Sequence, residues 1–302
     1  MKRQVTFRNN QIDIAAELHL PAGFDEAGSY PAIVGTHPAG AVKEQSPGLY
    51  AGKLAEKGFI VLTFDASHQG ASGGEPRLVE NPFERVEDVR SAVDYLTTLP
   101  FLDAGRIGAF GICAGVGYSI SAATTDRRIK AVAGVSATDA GSAIREGWDG
   151  KLPVSEQIKM LEAVAAQRTA EAKGTAVAYM PYVPETVDEN TSVTMREAHE
   201  YYRTPRAQHA NSCNKVMFTS LDKLLTFSAA DRIDTLLTQP LLLVVGSKSD
   251  ARRYVDTFYA KAASNDKELF VVEGATHVDL YDVPQYVEPA VAKLAAFFSD
   301  KL

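Results

Sequence analysis

The sequence predicts an α/β fold in which helices cover both faces of a mostly parallel central sheet. Apolar runs of strand length alternate with segments of helical periodicity over residues 1–137, and the alternation returns over 239–302. Two runs, 59–66 and 106–112, are almost continuously apolar, as expected for strands covered on both faces. Strands that alternate with helices favour a parallel sheet.

The elements of the N-terminal part follow from local signals. Residues 3–8 and 11–20 indicate a strand pair, because Asn9 and Asn10 supply the turn between them. The later strands are predicted at 30–37, 59–66, 106–112 and 129–137. Helices are predicted at 48–58, at 87–100 and directly after Cys113. The glycine at 58 and the proline at 100 are typical of helix ends.

Residues 138–238 interrupt this order. They contain helical patterns and a stretch rich in proline and aromatic residues, and they are too long for a connecting loop. Strand, helix, strand and helix then follow at 240–248, 251–264, 267–275 and 284–302. The sequence therefore predicts a core formed by 1–137 and 239–302, with a helical cap inserted at 138–238.

Bulk composition excludes several classes of function. The 302 residues carry a formal net charge of −7, which argues against a nucleic-acid partner. The N-terminus lacks the apolar region of a signal peptide, and no apolar run is long enough to span a membrane. Two distant cysteines suggest neither disulfides nor a metal site, so we expect a cytoplasmic protein without a cofactor.

The stretch RIGAFGICAGVGYSISAA, residues 106–123, contains the main catalytic signal. Gly111, Cys113 and Gly115 form a G-x-C-x-G pattern between a buried strand and a helix, which is typical of a nucleophile elbow. The sharp turn requires small neighbours, and the helix N-terminus favours thiolate over thiol. The alternative is a buried cysteine beside glycines that serve helix packing. Strand, turn and helix occur together, so we interpret Cys113 as a nucleophile.

A nucleophile needs a base and a group that orients the base. Of six histidines, only His277 lies between the last strand and the last helix, where an elbow-type hydrolase places its histidine. Asp250 follows the strand near 241–245 and is the predicted acid, with Asp256 as the alternative. Three other aspartates are expected to have structural roles: Asp65, Asp279 and Asp282.

An acyl-transfer site also needs backbone donors for an oxyanion. Ala114 follows the nucleophile and is predicted to supply one N–H. Ala39 is predicted to supply the second, with Gly40 as the alternative, because Pro38 has no N–H. The residues predicted to contact substrate are His37, His68, Trp148, Tyr182 and Tyr202. The alternatives are that His37 shapes its loop and that His68 is hydrogen-bonded within a turn.

Several segments on both sides of the insert resemble the α/β-hydrolase superfamily. These are THPAGAVKEQ, FDASHQGASGGEPR, RVEDVRSAVDYL, RIGAFGICAG, TDRRIKAVAGVS and THVDLYD. The cysteine makes the chain similar to the dienelactone hydrolase-like branch, and the six segments together resemble polyketide-transferase-like hydrolases. The resemblance implies a Cys113–Asp250–His277 triad and an oxyanion hole at Ala39 and Ala114. It implies an α/β-hydrolase fold.

The predicted function is hydrolysis of a small carboxylic ester, lactone or thioester through a covalent acyl-enzyme. One alternative is an acyltransferase or cyclase that acts on a polyketide-like substrate. Another is a ligand-binding protein that retains the fold without catalysis. The expected partner is a small acyl compound, with neither nucleic acid nor membrane involved. The oligomeric state is left open, and a homo-oligomer is one alternative.

Overall fold

A computed structural model describes all residues, 1–302, and its main feature is one large sheet. The strands are β1 (Lys2–Asn9), β2 (Ile12–His19), β3 (Tyr30–Thr36), β4 (Ile60–Phe64), β5 (Leu102–Ile112), β6 (Ile129–Val135), β7 (Tyr179–Met180), β8 (Val216–Met217), β9 (Leu241–Gly246) and β10 (Lys267–Val272). Eight of them form the sheet in the order β1-β2-β4-β3-β5-β6-β9-β10. From β4 to β10 all pairs are parallel, and β2 is antiparallel to both of its neighbours.

Helices connect these strands and cover the sheet. They are α1 (Ser46–Ala55), α2 (Pro82–Thr97), α3 (Ala114–Thr125), α4 (Ala140–Glu146), α5 (Val154–Ala172), α6 (Val193–Arg203), α7 (Leu221–Thr226), α8 (Ile233–Leu236), α9 (Arg252–Lys261), α10 (Asp279–Asp282) and α11 (Pro284–Lys301). A mostly parallel sheet between helices confirms the predicted α/β class.

The apolar side chains form a core on each face of the sheet. Strand residues alternate between the two cores: Leu241 and Leu243 of β9 face the cluster with α2, α3 and α9, whereas Leu242 faces the cluster with α1 and α11. This alternation is the two-residue period of a strand. Burying one such leucine contributes about 1.5–3 kcal/mol, so the apolar runs of the sequence hold the helices on both faces.

The segment between β6 and β9 contains helices α4–α8 and a short ribbon in which β7 pairs with β8. The ribbon was not predicted. Asp139 begins α4 by accepting hydrogen bonds from the backbone N–H groups of Gly141 and Ser142. Near the end of the segment, Ile233 and Leu237 pack into the main core. These last residues are therefore part of the core packing, although they lie inside the predicted cap at 138–238.

No helix of this fold has both the length and the apolar character that a membrane-spanning segment requires.

Candidate active site

The carboxyl ends of five parallel strands place the predicted site residues along one edge of the sheet. Cys113 directly follows β5, and the segments after β3, β6, β9 and β10 run along the same edge. In parallel α/β sheets this edge is where ligands bind. It carries Cys113, Ala39, Thr138, Asp250 and His277, in loops that the strands position.

The turn from β5 into α3 has the geometry of a nucleophile elbow. Cys113 has φ 55° and ψ −122°, a conformation that residues other than glycine rarely adopt. A Cβ atom on Gly111 would lie 2.2 Å from the carbonyl carbon of Gly115, and one on Gly115 would lie 2.3 Å from the carbonyl oxygen of Thr36. Both positions therefore require glycine, as the sequence pattern predicts. The strained turn holds the Cys113 side chain at the cavity described below.

The environment of Cys113 stabilises its thiolate. Burial raises the thiol pKa, but a hydrogen bond and charge interaction with His277, with further hydrogen bonds from Tyr281 and Thr138, lower it from 9.0 to about 7. The Sγ atom lies 3.5 Å from Oγ1 of Thr138. A thiol with a pKa near 7 is about half ionised at neutral pH, which makes it a competent nucleophile.

His277 is buried and is held from two sides. Its carbonyl oxygen accepts a hydrogen bond from Oγ of Ser136 at 2.8 Å, and its Nε2 lies 3.2 Å from the hydroxyl oxygen of Tyr281. The Trp148 ring packs against the imidazole with centroids 5.6 Å apart and an interplanar angle of 80°. Nδ1 is buried and has no hydrogen-bond partner. The ring is thus positioned beside Cys113 with one nitrogen unused.

Asp250 does not contact His277 in this structure. Its carboxylate accepts a hydrogen bond from the hydroxyl of Thr194 in α6 and another from the backbone N–H of Thr194 at 3.4 Å. The alternative acid, Asp256, forms an ion pair with Arg252 at 2.8 Å on α9. The role of Asp250 therefore stays a prediction, and the structure adds Thr194 as its present partner.

The other aspartates have local partners, which agrees with their expected structural roles. Asp65 pairs with Lys43 at 3.0 Å, Asp282 pairs with Arg206 at 2.6 Å, and Asp279 accepts a hydrogen bond from the backbone N–H of Thr276. Each of these carboxylates is engaged away from the imidazole of His277.

The two residues predicted for the oxyanion hole both line the cavity beside Cys113. Ala114 is the first residue of α3, so its N–H has no acceptor within the helix. Ala39 lies in the loop after β3, and its N–H donates no hydrogen bond to the protein. Both donors are therefore free for a substrate oxygen.

A cavity of about 270 Å³ opens next to Cys113 and is mainly apolar. Its lining residues are Ala39, Glu80, Cys113, Ala114, Tyr118, Thr138, Ala140, Ala143, Ile144, Trp148, Met180, Pro181, Tyr182, Val183, Thr194, Met195, Ala198, Tyr202, Val216, Leu224, His277, Val278 and Tyr281. Three of the residues predicted to contact substrate are among them: Trp148, Tyr182 and Tyr202. The volume suits a small molecule.

His37 and His68 are absent from this lining, so neither contacts the cavity beside Cys113, and a role for them in binding substrate stays a prediction. His37 is fully buried, with Nδ1 2.7 Å from the carbonyl oxygen of Pro38 and Nε2 accepting from the N–H of Ala66. Burial and the neighbouring Arg85 hold its pKa well below the usual value. His68 bonds the carbonyl oxygen of Pro76 and the Glu84 carboxylate. Hydrogen bonds hold both rings in their own loops, which agrees with the alternative roles stated above for these two histidines.

Sequence reasoning missed four polar residues of the cavity: Glu80, Tyr118, Thr138 and Thr194. They come from distant segments, so no local pattern links them. Tyr281 was also missed, although it follows His277 by one helical turn in THVDLYD and that spacing could have indicated it.

The acid–base groups of the site do not form a metal centre. No group of three or more His, Cys, Asp and Glu side chains in the protein is arranged to hold a metal ion.

Alkylation of Cys113 should depend on pH in a way that reports its thiolate. In a Cys213→Ala protein, where Cys113 is the sole thiol, we expect the rate of reaction with iodoacetamide to rise with a midpoint near pH 7. The rate is low below this pH, where the thiol is protonated, and levels off above it. A further His277→Ala change should move the midpoint upward. A midpoint near 9.0 in the parent protein would show that His277 and its neighbours do not stabilise the thiolate.

Comparison with known proteins shows the family of the chain. The family described as X-Pro dipeptidyl-peptidase (S15 family) matches residues 10–277. The chain belongs to this family. Its eight-stranded sheet and elbow give it the α/β-hydrolase fold.

Three known proteins are similar to this chain along nearly its whole length. The uncharacterized protein YcjY of Escherichia coli is 44% identical over 100% of both chains. The crystal structure of hypothetical protein PA2218 from Pseudomonas aeruginosa is 35% identical with a TM-score of 0.93, covering 100% of this chain and 94% of the other. The acyltransferase drtE of Aspergillus calidoustus is 25% identical, covering 98% of this chain and 95% of its own.

Proposed function

We propose that the protein cleaves a small carboxylic ester, lactone or thioester through an acyl-enzyme on Cys113. The observation that carries the proposal is a thiol of lowered pKa on a strained elbow, beside a buried histidine and an apolar cavity. A nucleophile, a base and oxyanion donors within one cavity are the requirements of acyl transfer.

In the proposed reaction, Nε2 of His277 takes the proton of the Cys113 thiol, and Sγ forms a bond to the substrate carbonyl carbon. The carbonyl oxygen becomes an oxyanion, to which Ala39 and Ala114 donate their free N–H groups. Collapse of this intermediate breaks the bond to the leaving group, which receives the proton from His277. A water molecule, deprotonated by His277, then attacks the thioester and releases the acid with the free thiol.

Asp250 would act by orienting His277. Nδ1 of His277 is the nitrogen that an acid of a triad normally binds, and it is buried without a partner. Asp250 follows the neighbouring strand β9 but is bound to Thr194 of the cap. Exchange of Thr194 for His277 as the partner of the carboxylate would complete the triad.

The cavity favours an uncharged acyl substrate over a dipeptide. Recognition of a peptide N-terminus needs a carboxylate that is free to bind the ammonium group. Glu80 is the one carboxylate in the lining, and its Oε2 lies 3.5 Å from NH1 of Arg85. The charge of Glu80 is thus offset within the protein, and the rest of the lining is largely apolar.

The covalent step can be tested by intact-mass spectrometry. Wild-type protein mixed with an acyl thioester or an aryl ester should gain the mass of one acyl group, and Cys113→Ala protein should not. A matched Cys213→Ala protein should acylate like wild type, because Cys213 is exposed and absent from the cavity. Acylation of the Cys113→Ala protein, or none on wild type across esters, lactones and thioesters, would overturn the proposal.

Transfer of the acyl group to an acceptor other than water is the second candidate function, and the similarity to the acyltransferase drtE over 98% of the chain favours it. Both candidates share the acyl-enzyme. Product analysis with and without alcohol and amine acceptors separates them, because a transferase forms a new ester or amide at the expense of the free acid.

A further inference from the structure

A second polar cluster lines the cavity and shares no hydrogen bond with Cys113 or His277. We call Glu80, Tyr118 and Tyr182 the Glu80 cluster. Glu80 lies just before α2, Tyr118 lies in α3, and Tyr182 lies in the cap segment after β7. Core and cap thus meet at one buried carboxylate inside a cavity that is mainly apolar.

The hydrogen bonds within the Glu80 cluster use both of its hydroxyl protons, so the cluster can offer only acceptor atoms to a ligand. The Tyr118 hydroxyl donates to Oε1 of Glu80 at 2.7 Å, and the Tyr182 hydroxyl donates to Oε2 at 2.8 Å. Burial and the nearby Glu80 charge raise the pKa of both tyrosines well above the usual value, so both hydroxyls keep their protons. Each proton is used on the carboxylate. The Tyr118 oxygen accepts no hydrogen bond from the protein, and the Tyr182 oxygen accepts only a long one of 3.5 Å from the Gln69 amide, so each phenol oxygen keeps a lone pair for a further donor.

The negative charge of the Glu80 cluster is already compensated. Arg85 is buried, lies 3.5 Å from Oε2 of Glu80 and stacks over the Tyr118 ring at 4.7 Å. The side-chain amide of Gln69 also donates to Oε2. A buried carboxylate that is paired in this way has little attraction left for a second cation. The cluster therefore suits a neutral group that donates a hydrogen bond.

We propose that the Glu80 cluster recognises a hydroxyl group of the substrate, so that the cavity selects hydroxylated acyl compounds over purely apolar ones. The inference deepens the proposed function and rests on it for the reacting carbonyl. A hydroxyl can donate a hydrogen bond to a tyrosine oxygen. A ketone or carboxylate at the same place has only acceptor oxygens, so it could form no hydrogen bond with that tyrosine oxygen. A methyl group would displace water from these oxygens without replacing its hydrogen bond.

The test compares thioesters that differ in one terminal group: hydroxyl, methyl, ketone or ammonium. One series varies the acyl chain, from four to ten carbons, and the other varies the leaving group. Their comparison shows whether the hydroxyl is recognised in the acyl chain or in the leaving group. At the best length, we expect wild-type kcat/KM for the hydroxyl compound to exceed that for the methyl compound by about tenfold. The ketone should be the poorest substrate, and the ammonium compound should not exceed the hydroxyl compound.

Tyr182→Phe is the decisive variant. It removes an acceptor oxygen but keeps the ring, which packs so closely on the oxyanion loop that a Cβ on Gly40 would lie 2.6 Å from it. We expect the hydroxyl-to-methyl ratio to fall to about 1 to 2. Tyr202→Phe is the matched control, because it also removes a hydroxyl from the cavity wall, outside the Glu80 cluster. That variant should change both substrates alike and keep the ratio.

Calorimetric binding to Cys113→Ala protein separates this inference from the proposed function. The ligands are non-reactive methyl ketones of the same chains, ending in hydroxyl or methyl. Tighter binding of the hydroxyl ligand, lost in Cys113→Ala/Tyr182→Phe, supports the inference even if no thioester is turned over. Equal binding and equal turnover of the two ligand types by proteins with intact Tyr182 would overturn it, as would a preference that survives Tyr182→Phe.

Discussion

Replacing Cys113 with alanine should lower the turnover of esters, lactones and thioesters by a factor on the order of 10³ or more. The reason is that the variant lacks the thiolate, and the imidazole of His277 and the N–H groups of Ala39 and Ala114 do not replace a thiolate nucleophile. Steady-state kinetics on the substrate that wild type turns over fastest measures the loss. Cys113→Ser should give an intermediate rate, since a hydroxyl is less acidic than the thiol.

Cys213→Ala is the control for this experiment, because Cys213 is the other cysteine of the chain and is exposed. It should retain wild-type turnover and fold normally. If the Cys113→Ala protein kept its turnover, the nucleophile would be another group, and an enzyme that activates water directly would become the better interpretation.

Gly115→Ala should destabilise the protein by about 3 kcal/mol and reduce turnover as well. The new Cβ would lie 2.3 Å from the carbonyl oxygen of Thr36 and 2.8 Å from that of His37. These carbonyls belong to the backbone at the end of β3, so relief requires α3 and β3 to move apart. That movement also shifts Ala39 relative to Cys113. Urea denaturation measures the stability, and kinetics on the folded fraction measures the activity.

Gly52→Ala is the matched control, because Gly52 lies in helix α1 and a Cβ there would have no heavy atom within 4 Å. Alanine should stabilise this half-buried helix position by up to about 1 kcal/mol. Equal stability of the Gly115→Ala protein and wild type would show that the elbow tolerates a side chain, contrary to the contacts described above.

The sequence predicted the sheet well because its strands are local and continuous. The runs that became β4, β5 and β9 are buried on both faces, so each one is almost continuously apolar in its inner part. Helix α2 begins at Pro82 rather than at 87, since Asn81 caps it and Pro82 occupies its first turn. That signal is present in the sequence, and it extends the helix beyond its amphipathic part.

The site was predictable only where one short segment defines it. Cys113 with its two glycines is such a segment, and the structure places His277 beside it. The contact of Asp250 with Thr194 joins residues 56 positions apart. The hydrogen bond between Glu80 and Tyr182 spans 102 positions. Contacts of this kind depend on how the cap folds over the sheet, and periodicity carries no information about that packing.

The hydrogen bond between Thr194 and Asp250 has a thermodynamic consequence. Formation of the triad and separation of the carboxylate from α6 are the same event if Asp250 is the acid, so they share one free energy. A ligand that binds more tightly when α6 has withdrawn would shift the population toward the assembled triad, and the assembled triad would raise the affinity for that ligand by the same factor. Binding of a ligand in the cavity and orientation of His277 by Asp250 would then favour each other, because both depend on the same equilibrium.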